Sequence, residues 1–256
     1  MGKEKPVKII EVNAGNVEQT GFFCYMSKRK TAGFRRKLDW LKERFGEGLK
    51  IKMLELPNRG FIEYIPGEYA WRAVNAKGYM FIHCLWVVGK SKGKGYSSLL
   101  LKECIKDAQK AQMKGAAMVT SEGVWVAGKK VLLKHGFESV AQAPPSFDLM
   151  VKKFGKARPP SFVDDWDKKA AKHKKGLTIF RSDQCPYIED ATNTLTDAAD
   201  ELGIKCKVIE LKTAKQLREL SPSPYGTLNV VYNGKLLSYH YLLKKDFVKA
   251  LGKLDG

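Results

Sequence analysis

The feature that most restricts the fold is the stretch from residue 80 to 111. Residues 80–88 (MFIHCLWVV) are apolar but for His83, residues 89–95 read GKSKGKG, and apolar side chains then recur at Leu101, Cys104, Ile105, Ala108 and Ala111. An apolar run of that length bounded by glycine reads as a buried strand, and the spacing after the glycines reads as one face of a helix. A strand, a Gly- and Lys-rich turn and a helix in that order commit the chain to a layered mixture of helices and strands, an α/β (α+β) class. The turn lies against a helix N-terminus, where several backbone N–H groups lack intrahelical partners, so it favours an anion. Gly93 and Gly95 allow close backbone approach and positive φ, and Lys92 and Lys94 add charge. A pyrophosphate fits. The spacing satisfies neither G-x-x-x-x-G-K-[ST] nor G-x-G-x-x-G directly after the strand, so the two common nucleotide fingerprints are absent.

Helical and extended patterns alternate on both sides of this stretch. Phe34, Leu38, Leu41 and Phe45 predict a helix closed by Gly46 and Gly48, followed by strands over 50–56 and 60–65 separated by the turn Pro57-Asn58-Arg59-Gly60. A short strand over 116–120, a short helix over 127–135 and a strand over 147–154 complete the first part. Residues 155–176 combine Pro159-Pro160, three Asp and a Lys-rich run without sustained apolar period, and read as a basic linker in which Phe162 and Trp166 are docking points. Beyond it, strand 177–180 leads to Cys185-Pro186 and a helix striped by Ile188, Ala191, Leu195, Ala198 and Leu202. Strand 205–211, helix 214–220, strand 226–232, an Asn233-Gly234 hairpin turn, strand 236–241 and helix 245–254 complete the chain. The expected organisation is a domain over 1–154, a linker over 155–176 and a smaller domain over 177–256.

The chain carries a net charge of +19, and its distribution limits the partners. Residues 1–154 hold 28 Lys and Arg against 14 Asp and Glu, whereas residues 177–256 hold 11 against 10. A basic first domain suits a nucleic acid, an acidic protein, a small polyanion or plain solubility, and charge alone does not choose. No apolar run approaches the ~20 residues of a membrane span, and the Lys-containing N-terminus lacks a signal-like apolar region, so no membrane association and a cytoplasmic location are expected. Five cysteines (24, 84, 104, 185, 206) without a C-x-x-C pair, and four scattered histidines (83, 135, 173, 240), predict reduced thiols and no structural metal.

The run from 82 to 101 resembles the acetyl-CoA motif of the GNAT acetyltransferases, Arg/Gln-x-x-Gly-x-Gly/Ala, here Lys90-Ser-Lys-Gly-Lys-Gly95 with Lys in the first position. The segment 128–138 (GKKVLLKHGFE) is similar to that family's second hallmark, a short helix followed by Gly-Phe, and the resemblance covers roughly 7–154. Residues 62–74 (IEYIPGEYAWRAV), residues 82–96 and the tail together resemble GNAT proteins with an appended YoaP-like, thioredoxin-like domain. The resemblance implies acetyl transfer from acetyl-CoA to an amine by direct attack on the thioester. It places the pantetheine arm along the backbone of Leu85, Trp86, Val87 and Val88, beyond a strand bulge, and the pyrophosphate on Lys92, Gly93, Lys94, Gly95, Tyr96 and Ser97.

Leu132 stands where many relatives carry an acid Tyr, and Tyr79 where some carry a base Glu, so acid and base must be reassigned or dispensed with. Glu63 and Glu68 are the base candidates, with an edge-strand carboxylate or ion pair as the alternative for each. His83 is either a proton relay or a satisfied core histidine. Trp71, Trp86 and Trp125 either line the acceptor pocket or belong to the core. In the tail, Cys185 at a helix start should have a lowered pKa, Ile188 replaces a second cysteine, and Ser223-Pro224-Tyr225 sits where a thioredoxin-type fold places its cis-proline. The resulting expectation is an N-acetyltransferase acting on a small-molecule or peptide amine, with a thiol-containing acceptor as one option and Cys185 as thiol site. The rival readings are a nucleic-acid-associated module, binding non-specifically through phosphate neutralisation, and a glutaredoxin-like protein carrying an inactive acetyltransferase fold.

Overall fold

The computed structural model describes residues 7–123 and 126–253. The chain enters through β1 (Ile9–Val12) and a single turn, α1 (Val17–Thr20), before the longer helix α2 (Ala32–Phe45). The Thr31 side chain caps α2 by accepting from the Phe34 amide, and the buried face runs Phe34, Lys37, Trp40, Leu41 and Arg44. The stripe read from the sequence is therefore rotated by one position: Leu38 and Phe45 are half-buried, and Lys37 and Arg44 turn inward.

Five strands, β2 (Lys50–Leu54), β3 (Gly60–Pro66), β4 (Val74–Asn75), β5 (Tyr79–Val87) and, after helix α3 (Tyr96–Lys110), β6 (Gly115–Ser121), come next, and all but β4 join the first sheet. A five-residue helix, α4 (Lys130–Lys134), precedes the hairpin β7 (Glu138–Ala143) and β8 (Phe147–Lys153) that completes it. The order is β1-β2-β3-β5-β6-β8-β7, antiparallel except where β5 runs parallel to β6. Parallel neighbours need a crossover, and α3 supplies it. Strand alternation divides β3 between two layers: Phe61, Glu63 and Ile65 share the α2 side, while Ile62 and Tyr64 pack with Leu100, Leu101 and Cys104 of α3.

The expected linker is docked along its length. Strand β9 (Ser161–Phe162) pairs with β4, helix α5 (Trp166–Ala171) comes after it, Trp166 packs edge-on against Phe162, and Lys169 donates to the Arg218 carbonyl at 2.8 Å. Pro159-Pro160 breaks helix and sheet only locally, and the aromatic pair anchors β9 and α5 just beyond it.

The last part holds β10 (Leu177–Arg181), α6 (Tyr187–Glu201), β11 (Cys206–Glu210), α7 (Ala214–Leu220), β12 (Leu228–Tyr232), β13 (Lys235–Ser238) and α8 (Lys244–Gly252). Its four strands lie in the order β11-β10-β12-β13, with β10 and β11 parallel and the other neighbours antiparallel. Asn233 and Gly234, both at positive φ, form the expected hairpin turn between β12 and β13. The Ser223–Pro224 bond is trans, so the expected cis-proline is corrected. One face of this sheet joins the buried cluster of the first: Phe180 and Val231, with Leu217 of α7, share it with Trp40, Leu41 and Trp71. Gly33 of α2 comes so close to α6 that a Cβ there would lie 2.3 Å from the Pro186 carbonyl oxygen. Arg36 bridges the same junction to Asp183 at 2.9 Å and Glu189 at 3.4 Å.

Candidate functional site

Strands β5 and β6 pair only from Tyr79 opposite Gly115 to Ile82 opposite Met118. Beyond that point β5 stays with β3, through Val87, and β6 stays with β8, so the two central strands part and the sheet opens. A register shift between Glu63 and Tyr64 accompanies the split: Glu63 pairs with Cys84 and Tyr64 with Ile82, leaving His83 as the extra residue of a β-bulge. The β5 edge from Leu85 onward thus lacks a ladder with β6, which leaves backbone groups for a ligand laid along it.

The loop after β5 ends in an open cradle. Gly93 and Gly95 both have φ of 78°, a Cβ built on either would meet nothing within 4 Å, and Gly95 is the N-cap of α3 with no side-chain cap. The first amides of α3 are therefore uncapped and beside open space, a favourable place for a polyanionic group. Lys92 and Lys94 are exposed, and Tyr96 and Ser97 half-exposed, in the first residues around it. Ser91 is buried beneath, its hydroxyl accepting from the Arg59 amide at 2.9 Å, and pins the loop to the turn before β3.

A cavity of about 520 Å³ lies at the mouth of the strand split. Leu85, Trp86 and Met118 line it from the first sheet and Ala127 from the loop before α4; Gln184 and Cys185, between β10 and α6, and Tyr187 at the start of α6 line it from the other side. Trp86 is partly exposed there, Trp71 is fully buried in the core, and Trp125 lies outside the described residues.

The floor of this cavity is a buried charge network. Lys37 Nζ lies 2.6 Å from Glu63 Oε2, and Glu63 Oε1 accepts from Gln184 Nε2 at 2.9 Å and contacts His83 Nδ1 at 3.1 Å. The Trp71 amide donates to His83 Nε2 at 2.9 Å, which fixes the proton on Nδ1, pointing at Glu63. Burial alone would raise the Glu63 carboxyl, but Lys37 and His83 outweigh it and hold it well below the ordinary range. His83 is pushed down to about 4, chiefly by burial and only partly offset by Glu63, so it is neutral near pH 7.

This geometry separates the three candidates. Glu63 is at the cavity, as an ionised carboxylate rather than a poised base. His83 has both ring nitrogens engaged, one by the Trp71 amide and one by Glu63, which leaves neither free for the expected relay. Glu68 is exposed on a 3₁₀ turn and accepts from the Gly78 amide at 3.3 Å; it does not line the cavity, which corrects its candidacy. Leu132 is fully buried in the α3 layer, and Tyr79 donates to the Arg158 carbonyl.

Cys185 opens onto the cavity just ahead of α6, but its expected low pKa is also corrected. Burial raises the thiol and outweighs the favourable Tyr187 amide. Cys24 and Cys84 line the same wall and are raised by burial as well. Among the described residues no group of three His, Cys, Asp or Glu side chains could hold a metal ion, and no helix is long and apolar enough to cross a membrane.

Sequence reasoning missed Lys37, Arg72 and Gln184. The signal for Lys37 was present: it falls three residues after Phe34 and four before Leu41, on an apolar helical face.

With its split strands, the bulge at His83 and the glycine cradle at the start of α3, the chain has the layout that the resemblance to the GNAT acetyltransferases implies. No family model matches it. A curated relative, the uncharacterized N-acetyltransferase YoaP of Bacillus subtilis (strain 168), is 32% identical over 256 residues, covering 96% of this chain and 98% of the relative. The chain belongs to the family of that protein. Similar solved structures include a GNAT family acetyltransferase from Brucella melitensis in complex with acetyl-CoA, at 14% identity and TM-score 0.38, covering 61% of this chain and 93% of that one. Another is PaiA N-acetyltransferase from Thermoplasma acidophilum in complex with coenzyme A, at 14% identity and TM-score 0.42, covering 58% and 99%.

Proposed function

We propose that the chain transfers the acetyl group of acetyl-CoA to the amine of a small molecule or peptide seated in the cavity at the strand split. The observation that carries this is the continuity of three features: the uncapped α3 cradle, the unladdered edge of β5 and the cavity beyond it. Amides around Gly93 to Ser97, with Lys92 and Lys94, would hold the pyrophosphate; the backbone from Leu85 to Val88 would hold the pantetheine arm. Bound there, acetyl-CoA supplies an activated acetyl thioester. Glu63, kept ionised and matched by Lys37, fixes the polar floor beneath the acceptor; as the amine attacks the thioester carbon, water accepts the amine proton and the coenzyme A thiolate leaves. Apolar walls at Leu85, Trp86 and Met118 limit water elsewhere.

The tail belongs to the same site in this reading. Its strand order, its pairing directions and a cysteine leading into α6 support a thioredoxin-like domain over 177–256, reached through 155–176 from a catalytic domain over 1–154. With Ile188 in place of a second cysteine, Cys185 serves recognition rather than disulfide exchange, and a thiol-bearing acceptor suits a wall carrying Cys24, Cys84 and Cys185. Five free cysteines suit a reducing compartment such as the cytoplasm. The positive surface adds at most salt-sensitive, non-specific nucleic-acid binding.

Calorimetric titration with acetyl-CoA tests the reading. Wild type should bind, and Gly95→Pro should not while its circular dichroism is unchanged, because proline cannot adopt the positive φ of this position. Absence of binding by wild type at millimolar acetyl-CoA refutes the proposal.

A further inference from the structure

Arg72 is the anomalous charge on the cavity wall. It is 5% exposed, donates through Nη1 to the Trp71 carbonyl at 2.7 Å and Gln184 Oε1 at 3.4 Å, and through Nη2 to the His83 carbonyl at 2.8 Å. Its guanidinium also lies over the Tyr225 ring, 4.7 Å from the centroid. All these partners are neutral, and Arg72 forms no salt bridge among the described residues. The other buried arginines are treated differently: Arg44 has Glu43 and Glu47, and Arg181 has Asp183 and Glu189. The carboxylate nearest to Arg72 in the network, Glu63, is separated from it by Gln184 and is already matched by Lys37.

A guanidinium cannot shed its proton, and burying one beside neutral partners alone is costly. Lys37, Glu63 and Arg72 together leave one uncompensated positive charge on a cavity of about 520 Å³, with neutral His83 adding none. The Arg fork matches a planar carboxylate in geometry as well as sign. Resting on the acetyltransferase reading of this cavity, we propose that Arg72 binds a carboxylate of the acceptor, so that the substrate class is a free amino acid or an equally small amino carboxylate. Gln184 then has a specific part. It accepts from Arg72 and donates to Glu63, so a residue of the loop between β10 and α6 sets the orientation of the anion-binding group, which lies just before β4.

The test uses matched amines with and without the carboxylate: cysteine and cysteamine, phenylalanine and phenethylamine, alanine and ethylamine, with phosphoethanolamine as a phosphate-bearing control. Each is titrated into the full chain loaded with coenzyme A, and acetylated product is followed by mass spectrometry with acetyl-CoA. At least one carboxylate-bearing member should bind about tenfold or more tightly than its partner, as a charge-assisted hydrogen bond provides. Arg72→Gln should abolish the preference, Arg72→Lys should restore part of it, and coenzyme A affinity should stay unchanged in both. The paired comparison in wild type stands even if a variant fails to fold. No preference for any carboxylate member, a preference that survives in folded Arg72→Gln, or a preference for the phosphate overturns the assignment. If coenzyme A binds while the pairs show no difference, the acceptor assignment alone fails; if coenzyme A does not bind, the acetyltransferase reading fails and takes the assignment with it.

Discussion

Replacing Lys37 by Met tests whether the charge network under the cavity is held together as the geometry indicates. The Lys37 and Glu63 side chains are 4% and 2% exposed and their charged atoms lie 2.6 Å apart, so screening by water is minimal. Removing the ammonium leaves Glu63 with two hydrogen bonds, from His83 and Gln184, and an uncompensated buried charge. Breaking a buried pair in this way costs about 3–5 kcal/mol, a large part of the ~5–15 kcal/mol that holds a typical domain folded. Methionine fills much of the lysine stem's volume, so the loss is mainly electrostatic. In the double variant Lys37→Met, Glu63→Gln, the charge is gone and an amide oxygen still accepts from His83. That variant should recover most of the loss, giving a coupling of about 2 kcal/mol or more in a double-mutant cycle. Urea unfolding at pH 7, followed in parallel by tryptophan fluorescence and far-ultraviolet circular dichroism, measures both quantities. A loss below about 1 kcal/mol in the single variant, or no recovery in the double, would show that the pair is solvated or absent and refute the reasoning.

Gly33→Ala should cost about 1–3 kcal/mol and increase the reactivity of Cys185 towards iodoacetamide, because the new Cβ meets the Pro186 carbonyl at 2.3 Å and must push α6 away; an unchanged melting temperature and alkylation rate would contradict the close junction. In wild type, the rate of Cys185 alkylation against pH should have its midpoint above that of a free cysteine, since burial raises the thiol, and a midpoint below it would restore the helix-start argument. Because the folded pKa of His83 is depressed, the unfolded chain takes up a proton that the folded chain refuses; stability should therefore fall as pH drops from about 6.5 towards 4, by up to about 1.4 kcal/mol per pH unit. A folded His83→Gln variant should lose that slope, and retention of it would assign the dependence elsewhere.

The central strand, glycine loop and helix were legible because each is local: a nine-residue apolar run, two glycines and a helical stripe need no distant partner. The hairpin at Asn233-Gly234 was legible for the same reason. The network was not, because Lys37, His83 and Gln184 lie 26, 20 and 121 residues from Glu63 and meet only when α2, the β5 bulge and the loop before α6 are packed. Periodicity placed the α2 stripe one position away from its true centre, and that shift is enough to hide Lys37. At Cys185 the helix start favours the thiolate, but burial, which the local sequence does not show, outweighs it and reverses the sign. Residues 155–176 looked like a tether because their apolar anchors, Ala157, Phe162, Val163, Trp166 and Ala170, follow no single period and their partners lie in other elements.

A crystal of the full chain soaked with coenzyme A shows directly whether the cofactor lies along the split strands. Pyrophosphate density is expected against the amides from Gly93 to Ser97, the pantetheine arm along Leu85 to Val88, and the thiol at the opening between β5 and β6, facing the cavity that Arg72 and Cys185 line. Coenzyme A bound elsewhere, or bound with its thiol away from that opening, would contradict this placement.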